Sequence, residues 1–359
     1  MGHPFADLPP SAFWRTAVSD LAASGPSAPS LGDIYRPRFQ ISRTDRIVAA
    51  GSCFAQHIGA QLKRRGYGFV DAEPGPRHME QEALHRFGFD LYSARYGNIY
   101  SVRQLLQLFQ RAHGLFEPAE REWRTGGRFH DPFRPTIEPN GFASPDEREA
   151  STAFHLERVA TLLRRCDVFV FTFGLTEAWL TTADGAVLPT CPGTVAGTFD
   201  PERYAFRNFS FPDVYGDAAR FIALARRHNP AMRFVFTVSP VPLTATASGD
   251  HVLAATLYSK SVLRAVCGSL RDAFEGVDYF PSYELVSSHP MRARAYSSNL
   301  RTVTEDGVAE VMDVFFRAHG DAWERDAEPA RPGRIAVAPP PLCEDDAVCD
   351  EALLEAFAR

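Results

Sequence analysis

Two runs of apolar and β-branched residues, 168–173 and 234–238, the second opening after Arg233, limit how this chain can fold more than any other feature. Both are rich in Val and Phe, and each stands directly after a stretch with helical spacing. A strand with one wet face alternates apolar and polar residues. A run without alternation is buried on both faces, which is the habit of strands in a parallel sheet covered by helices.

The surrounding spacing predicts helices over residues 145–165 and 212–227 ahead of these strands. A helix over 250–274, a strand over 277–286 and a last helix over 304–319 are expected after them. Upstream, residues 46–50 read as a short strand broken at Gly51 and followed by a helix over 52–62. A turn at Gly97-Asn98 precedes a helix over 102–113, with Leu105, Leu106, Leu108 and Phe109 on its apolar side. Strands separated by helices imply right-handed βαβ crossovers. The expected fold is therefore α/β, a three-layer α/β/α sandwich around a central parallel sheet. Between about 178 and 232 the pattern weakens, and the segments flanking Asp184-Gly185 read as an inserted hairpin region.

Residues 1–33, rich in Pro, Ser, Ala and Gly, read as a flexible arm, and the folded part is expected over 34–320. Residues 321–359 form a Pro-rich tail closing on a short acidic helix over 345–359. With 38 basic residues against 44 acidic ones, a net charge of −6 and no basic cluster interleaved with aromatics, a nucleic-acid partner is not expected. No apolar run approaches the roughly 20 residues of a membrane span. The N-terminus has neither the basic start nor the apolar stretch of a secretory signal, so a cytoplasmic location is expected. Six cysteines without a C-x-x-C pair argue against a zinc cage or a redox dithiol. No nucleotide-binding or metal-ligand spacing is present, so no cofactor or metal is expected. Only Lys63 and Lys260 among the basic residues are lysines, which draws attention to Lys260.

In open parallel sheets ligands bind outside the carboxyl ends of the strands. Ser52, Gly174, Ser239 and His289 each fall just after an expected strand end, so four distant positions are expected to converge on one edge. A serine between a strand and a helix presents its hydroxyl at the sheet edge and its amide at a helix N-terminus. That combines a nucleophile with half an oxyanion hole. The plainer alternative is that Ser52 caps the helix.

The pentapeptide Gly51-Ser52-Cys53-Phe54-Ala55 matches the motif of the GSCFA family. That family resembles a distant branch of the SGNH (GDSL-like) esterases and acyltransferases. Residues 96–100, 174–179, 238–243 and 280–284 look like further family blocks, so the resemblance spans residues 34–320. It implies that Ser52 is the nucleophile and that its amide is one oxyanion donor. Gly97, with Asn98 beside it, supplies another. Thr176 stands where the superfamily carries an oxyanion Asn, and its hydroxyl can still donate one hydrogen bond. Glu177 and Glu284 are the carboxylates nearest the expected site, either to orient an imidazole or to anchor loops. The loop from His130 to Pro135 is expected to cover the site.

The superfamily's closing Asp-x-x-His aligns with Asn299-Leu300-Arg301-Thr302, which has neither the acid nor the base. A serine hydroxyl needs a proton acceptor within hydrogen-bond reach. His289 lies in the same loop and ranks first, followed by His251, near Lys260, and by His57, on another face of the first helix from Ser52. Lys260 and Cys53 are further candidates, although Cys53 is expected to be buried and inert.

The resemblance implies an esterase that cleaves an O-acyl ester, in the first instance an O-acetyl group on a carbohydrate, through an acyl-Ser52 intermediate. The implied partner is thus a small-molecule or glycan acyl ester. A second reading is an O-acyltransferase to a sugar hydroxyl using the same serine. A third, motivated by Asn299 and Thr302, is a non-catalytic module that binds an acylated glycan or a partner.

Overall fold

The computed structural model describes residues 3–18 and 34–320, with Leu354 and Phe357. The rest of the expected arm and tail, including Cys343 and Cys349, lies outside the described residues. The chain forms two units, Met1–Gln40 with Phe280–Asp346 and Ile41–Tyr279 with Ala347–Arg359.

The first unit begins with a short helix α1 (Trp14–Val18). The second unit opens with β1 (Arg46–Gly51), α2 (Phe54–Arg64), β2 (Gly68–Phe69), α3 (Gln81–Arg86) and α4 (Val102–Ala112). A hairpin of β3 (Trp123–Thr125) and β4 (Arg128–His130) leads to α5 (Pro145–Leu162) and β5 (Val168–Phe173). After β6 (Glu177–Thr181), β7 (Val187–Leu188) and β8 (Tyr204–Asn208) come α6 (Phe211–His228), β9 (Arg233–Val238), α7 (Val252–Ala273) and β10 (Val277–Tyr279). The chain then returns to the first unit with α8 (Ser282–Ser287) and α9 (Glu305–Ala318).

Five strands form the central sheet in the order β2-β1-β5-β9-β10, all parallel. Counted along the chain this is the doubly wound order 2-1-3-4-5, whose switch point falls between the first and third strands. Here those strands are β1 and β5, paired from Ile47–Val168 to Gly51–Thr172.

Every residue of β5 is buried, as an unalternating run requires. One of its faces carries Phe169, Phe171 and Phe173, which meet Phe234 and Phe236 of β9. Phe109 of α4 and Phe221 of α6 close on this aromatic layer, their rings 5.9 and 5.0 Å from that of Phe169. Helix α2 packs on β1 and β5, and α7 on β9 and β10. Sheet and helices make the expected three-layer α/β/α sandwich. The helices start where caps allow: the Ser101 and Ser144 hydroxyls accept amides of α4 and α5, and Ser210 and Asp213 form a capping box on α6.

Three local expectations change. The strand expected over 277–286 ends at Tyr279, because Pro281 has no amide to donate and residues 282–287 turn into α8. The hairpin around Asp184-Gly185 forms, but β6 also pairs with β8, making a three-stranded antiparallel sheet β7-β6-β8. Strand β8 carries large apolar side chains only at Tyr204 and Phe206, with Ala205 and Arg207 at its exposed positions, which hid it among loop residues. The β3–β4 hairpin was equally quiet, and it turns through Gly126 and Gly127, both with positive φ.

Candidate active site

Strand β1 ends at Gly51, whose φ of +146° and close contact exclude a side chain. A Cβ there would fall 2.6 Å from the Thr172 carbonyl oxygen. Ser52 follows, only 3% exposed. Its carbonyl accepts the Ala55 amide at 2.8 Å, yet its hydroxyl has no hydrogen-bond partner among the described residues. Helix α2 therefore starts without a side-chain cap, and the capping alternative for Ser52 does not hold. At the end of β5 a Cβ on Gly174 would fall 2.9 Å from the Tyr100 carbonyl oxygen and 3.0 Å from Ser52 Cβ. Two glycines thus let adjacent strand ends and the Tyr100 backbone close around one serine at the switch point of the sheet.

The backbone around Ser52 is tied down. The Tyr100 carbonyl accepts the amides of Gly174 and Leu175 at 3.1 and 2.9 Å, and the Gly51 carbonyl accepts that of Ile99 at 2.8 Å. Asn98 Oδ1 accepts from the Tyr92 hydroxyl at 2.5 Å and from Gln56 Nε2 at 3.3 Å, which fixes the orientation of its carboxamide. Gln104 Nε2 donates to the Asn98 carbonyl at 2.9 Å while its Oε1 accepts the Tyr100 amide. Lys260 Nζ, fully buried, donates to the Gly174 carbonyl at 2.8 Å, and the Ser259 hydroxyl accepts the Thr176 amide at 3.0 Å.

Against this paired backbone, the hydroxyls of Ser52, Thr172 and Thr176 are all buried and unpartnered among the described residues. Buried polar groups are nearly always paired, so such a group calls for an explanation. The Ser52 amide, expected as an oxyanion donor, faces the Thr172 carbonyl at a long 3.4 Å. Gly97 adopts φ +68° with open space where a Cβ would stand.

None of the histidines expected as bases is hydrogen bonded to the Ser52 hydroxyl among the described residues. His57 is partly buried against Phe54, and burial pushes its pKa down to about 4, so it is neutral at physiological pH. His251 is exposed and caps α7, its Nδ1 accepting the Leu253 amide at 3.1 Å. His289 belongs to the first unit, where its ring stacks on Trp14 at 5.3 Å. In that unit too, the Glu284 carbonyl accepts the Ser288 hydroxyl, and Asn299 Nδ2 donates to the Thr302 hydroxyl at 3.0 Å. Asn299 Oδ1 also accepts the amides of Arg301 and Thr302, so these residues close a turn on themselves.

Glu177 lies at the start of β6, where burial pushes its carboxyl pKa up while the Thr246 hydroxyl donates to Oε1 at 2.6 Å. Cys53 is buried as expected. The loop after His130 spends its charges internally, with Arg134 Nε 3.0 Å from Asp131 Oδ2, both buried.

The sequence reading missed a second polar cluster. His155 Nδ1, on α5, meets Glu73 Oε2 at 2.6 Å, and the same carboxylate oxygen accepts the Arg95 amide at 2.7 Å. Burial drives His155 down to about 4, helped by the charge of Arg134. Burial opposes ionisation of Glu73, but the His155 hydrogen bond, Arg134 and the Arg95 amide together hold its carboxyl at about 2. The pair is thus a carboxylate accepting from a neutral imidazole. His155, Val159 and Leu162 share one buried stripe of α5, and an imidazole on that stripe was the signal that a buried partner waits elsewhere in the chain.

Fold and site together define a doubly wound α/β protein with a closed-in serine at the switch point of its sheet. Residues 46–315 match the GSCFA family, well over half of the chain, and the protein belongs to that family. No curated protein matches the chain at a significant level. Among the described residues no helix is long and apolar enough to cross a membrane, and no cluster of His, Cys, Asp and Glu could hold a metal ion.

Proposed function

We propose that Ser52 is the nucleophile of an SGNH-type esterase acting on O-acyl esters. The observation that carries this reading is the Ser52 hydroxyl, buried and unpartnered at the switch point between β1 and β5, where parallel sheets bind ligands. Ser52 Oγ bonds to the acyl carbon, the bond from that carbon to the alcohol oxygen breaks, and the serine proton passes through a base to the departing alkoxide. Water then attacks the acyl-serine and releases the acid. The developing oxyanion is served by donors from Gly97, Asn98, the Ser52 amide and the Thr176 hydroxyl. Transfer to a sugar hydroxyl differs only in the second attacking group. The proton acceptor is drawn from His289, then His251, then His57, with Glu177 or Glu284 in support. Of these, His251 has one ring nitrogen already engaged by the Leu253 amide.

A second reading, an acyl-ester binding module without turnover, is favoured by two observations: among the described residues no base is bonded to Ser52, and Asn299 and Thr302 bond each other. The two separate on covalent labelling by a fluorophosphonate, followed by intact mass, and on p-nitrophenyl acetate hydrolysis. The esterase reading expects labelling and turnover that vanish in Ser52→Ala, and turnover that falls steeply in one of His289→Ala, His251→Ala and His57→Ala. Background rates in wild type and all variants, with no label, would leave binding alone.

A further inference from the structure

A cavity of about 460 Å3 is lined by described residues of the second unit. Ser52 is not one of them, but two that are, Tyr100 and Leu175, have backbones that meet at Gly174, which itself packs on Ser52. The antiparallel sheet supplies the wall: Trp179 of β6, Leu188 of β7 and Phe206 of β8, with Phe199 edge-on to Trp179 at 5.3 Å. Its size falls in the range of small-molecule sites, roughly 300–1,000 Å3.

The chemistry of the wall is one-sided. Among the described residues no Lys, Arg or His lines the cavity, so none of them would recognise a phosphate, sulfate or carboxylate there. Among the described residues the only acidic one in the lining is Glu177, which repels a free acid. Of its polar side chains, Gln104 is engaged by Asn98 and Tyr100 and Ser101 by the Gln104 amide, while the buried Thr190 hydroxyl has no partner among the described residues. The described wall is otherwise largely aromatic and aliphatic, a surface suited to hydrocarbon.

We propose that this cavity holds the acyl chain of the ester, making the substrates neutral esters of medium-length apolar acids rather than acetyl esters. The proposal rests on Ser52 as nucleophile and adds the acyl class. At about 30 Å3 per water-sized group, the slot has room for roughly a dozen carbon atoms. Leu354 and Phe357, near the end of the chain, also line it, as wall rather than occupant.

The test compares methyl and octyl fluorophosphonate on the full chain, with labelling at Ser52 followed by mass. The octyl probe should react at least about tenfold faster, because each methylene buried adds affinity. The ratio should fall toward one in Ala247→Phe, which plugs an exposed lining position, and should fall in a chain truncated after residue 346. In Ser52→Ala, methyl decanoate should change the fluorescence of Trp179, a response absent when Trp179→Phe is added.

Equal labelling by both probes without a Trp179 response would overturn the acyl slot while leaving Ser52 as nucleophile. A Trp179 response with no labelling by either probe would sustain hydrocarbon binding and remove the nucleophile. Equal gains for both probes on truncation would make the tail the cavity's occupant and overturn the proposal.

Discussion

Ser52 and Glu73 each follow one of two adjacent strands, β1 and β2, and both are buried, yet the fold treats their polar atoms in opposite ways. Glu73 takes hydrogen bonds from His155 and the Arg95 amide, and beside it Asp131 is paired with Arg134 and accepts from Thr152. His155 Nε2, Arg134 Nη2 and Arg111 Nε are left over there among the described residues, beside a cavity of about 20 Å3, the size of one water. Around Ser52 the backbone groups of Gly51, Ile99, Tyr100, Gly174 and Leu175 are tied by hydrogen bonds, while the hydroxyls of Ser52, Thr172 and Thr176 have no partner among the described residues. Paired buried groups specify a structure. An unpaired one at a ligand-binding edge costs stability, and on the esterase reading it is kept for chemistry.

The largest test of this contrast is Arg134→Met. Burial alone would raise the Asp131 pKa, but the charges of Arg134 and Arg111 and the Phe133 amide hold it at about 2. Removing Arg134 strands a buried carboxylate, and urea denaturation should show a loss of about 3–5 kcal/mol. Adding Asp131→Leu should restore much of it, since deleting both charges removes the stranded one. A loss below about 1 kcal/mol in the single variant would mean that the cluster is not the structural one.

The next effect is a pH dependence. His155 titrates near 4 in the folded chain against 6.5 when exposed, so the unfolded chain binds its proton first as the pH falls. Stability from this group is complete above 6.5 and is lost progressively between 6.5 and 4, by up to about 3 kcal/mol. His57 is shifted the same way and adds to the same window. Glu73 and Asp131 act lower: their contribution is full above the ordinary carboxylate range and fades as the pH falls toward 2. Replacing His155 with Gln keeps a donor for Glu73 without a titrating ring. The fall in unfolding free energy between pH 7 and pH 4.5 should then shrink by about half, leaving the share of His57. An unchanged slope would place the acid sensitivity elsewhere.

The two clusters were also unequally legible in the sequence. Ser52 could be found because local cues agree: an apolar strand, a glycine that breaks it and an apolar helix stripe place it at a sheet edge. The runs that become β5 and β9 announced a parallel sheet for the same reason, each segment carrying its own signature. The Glu73–His155 pair joins positions 82 residues apart, and the apolar stripe around His155 signals a buried imidazole without naming its partner. Strand β8 and the β3–β4 hairpin likewise owe their form to partners rather than to their own pattern, and the strand expected through residue 286 overlooked what Pro281 does to a ladder. The base is the part of the site that local reading leaves open, because proton acceptance depends on which loop comes within reach of the hydroxyl, a long-range property.

Gly174→Ala probes the serine side with a smaller perturbation. The new methyl would sit 2.9 Å from the Tyr100 carbonyl oxygen and 3.0 Å from Ser52 Cβ, so backbone or serine must shift. The expected cost is about 1–3 kcal/mol. Fluorophosphonate labelling of Ser52 should drop more than stability does, because a displaced hydroxyl loses its approach to the acyl carbon. If labelling and stability fell in step, the glycine would be serving packing alone.

The smallest stability effect belongs to Ser52→Ala and is the sharpest statement of the contrast. Alanine keeps the Cβ that packs against Gly174 and deletes only a hydroxyl that is buried without a partner. A hydroxyl in that state is unfavourable, so its removal should leave stability within about 0.5 kcal/mol of wild type or raise it by up to about 1 kcal/mol. The same change should abolish labelling. A side chain whose loss is nearly neutral for folding and total for reactivity is one the fold holds for a ligand. A loss of 1 kcal/mol or more would instead mean that the hydroxyl has a partner in solution, and Ser52 would join Glu73 and Asp131 among the groups that hold the structure together.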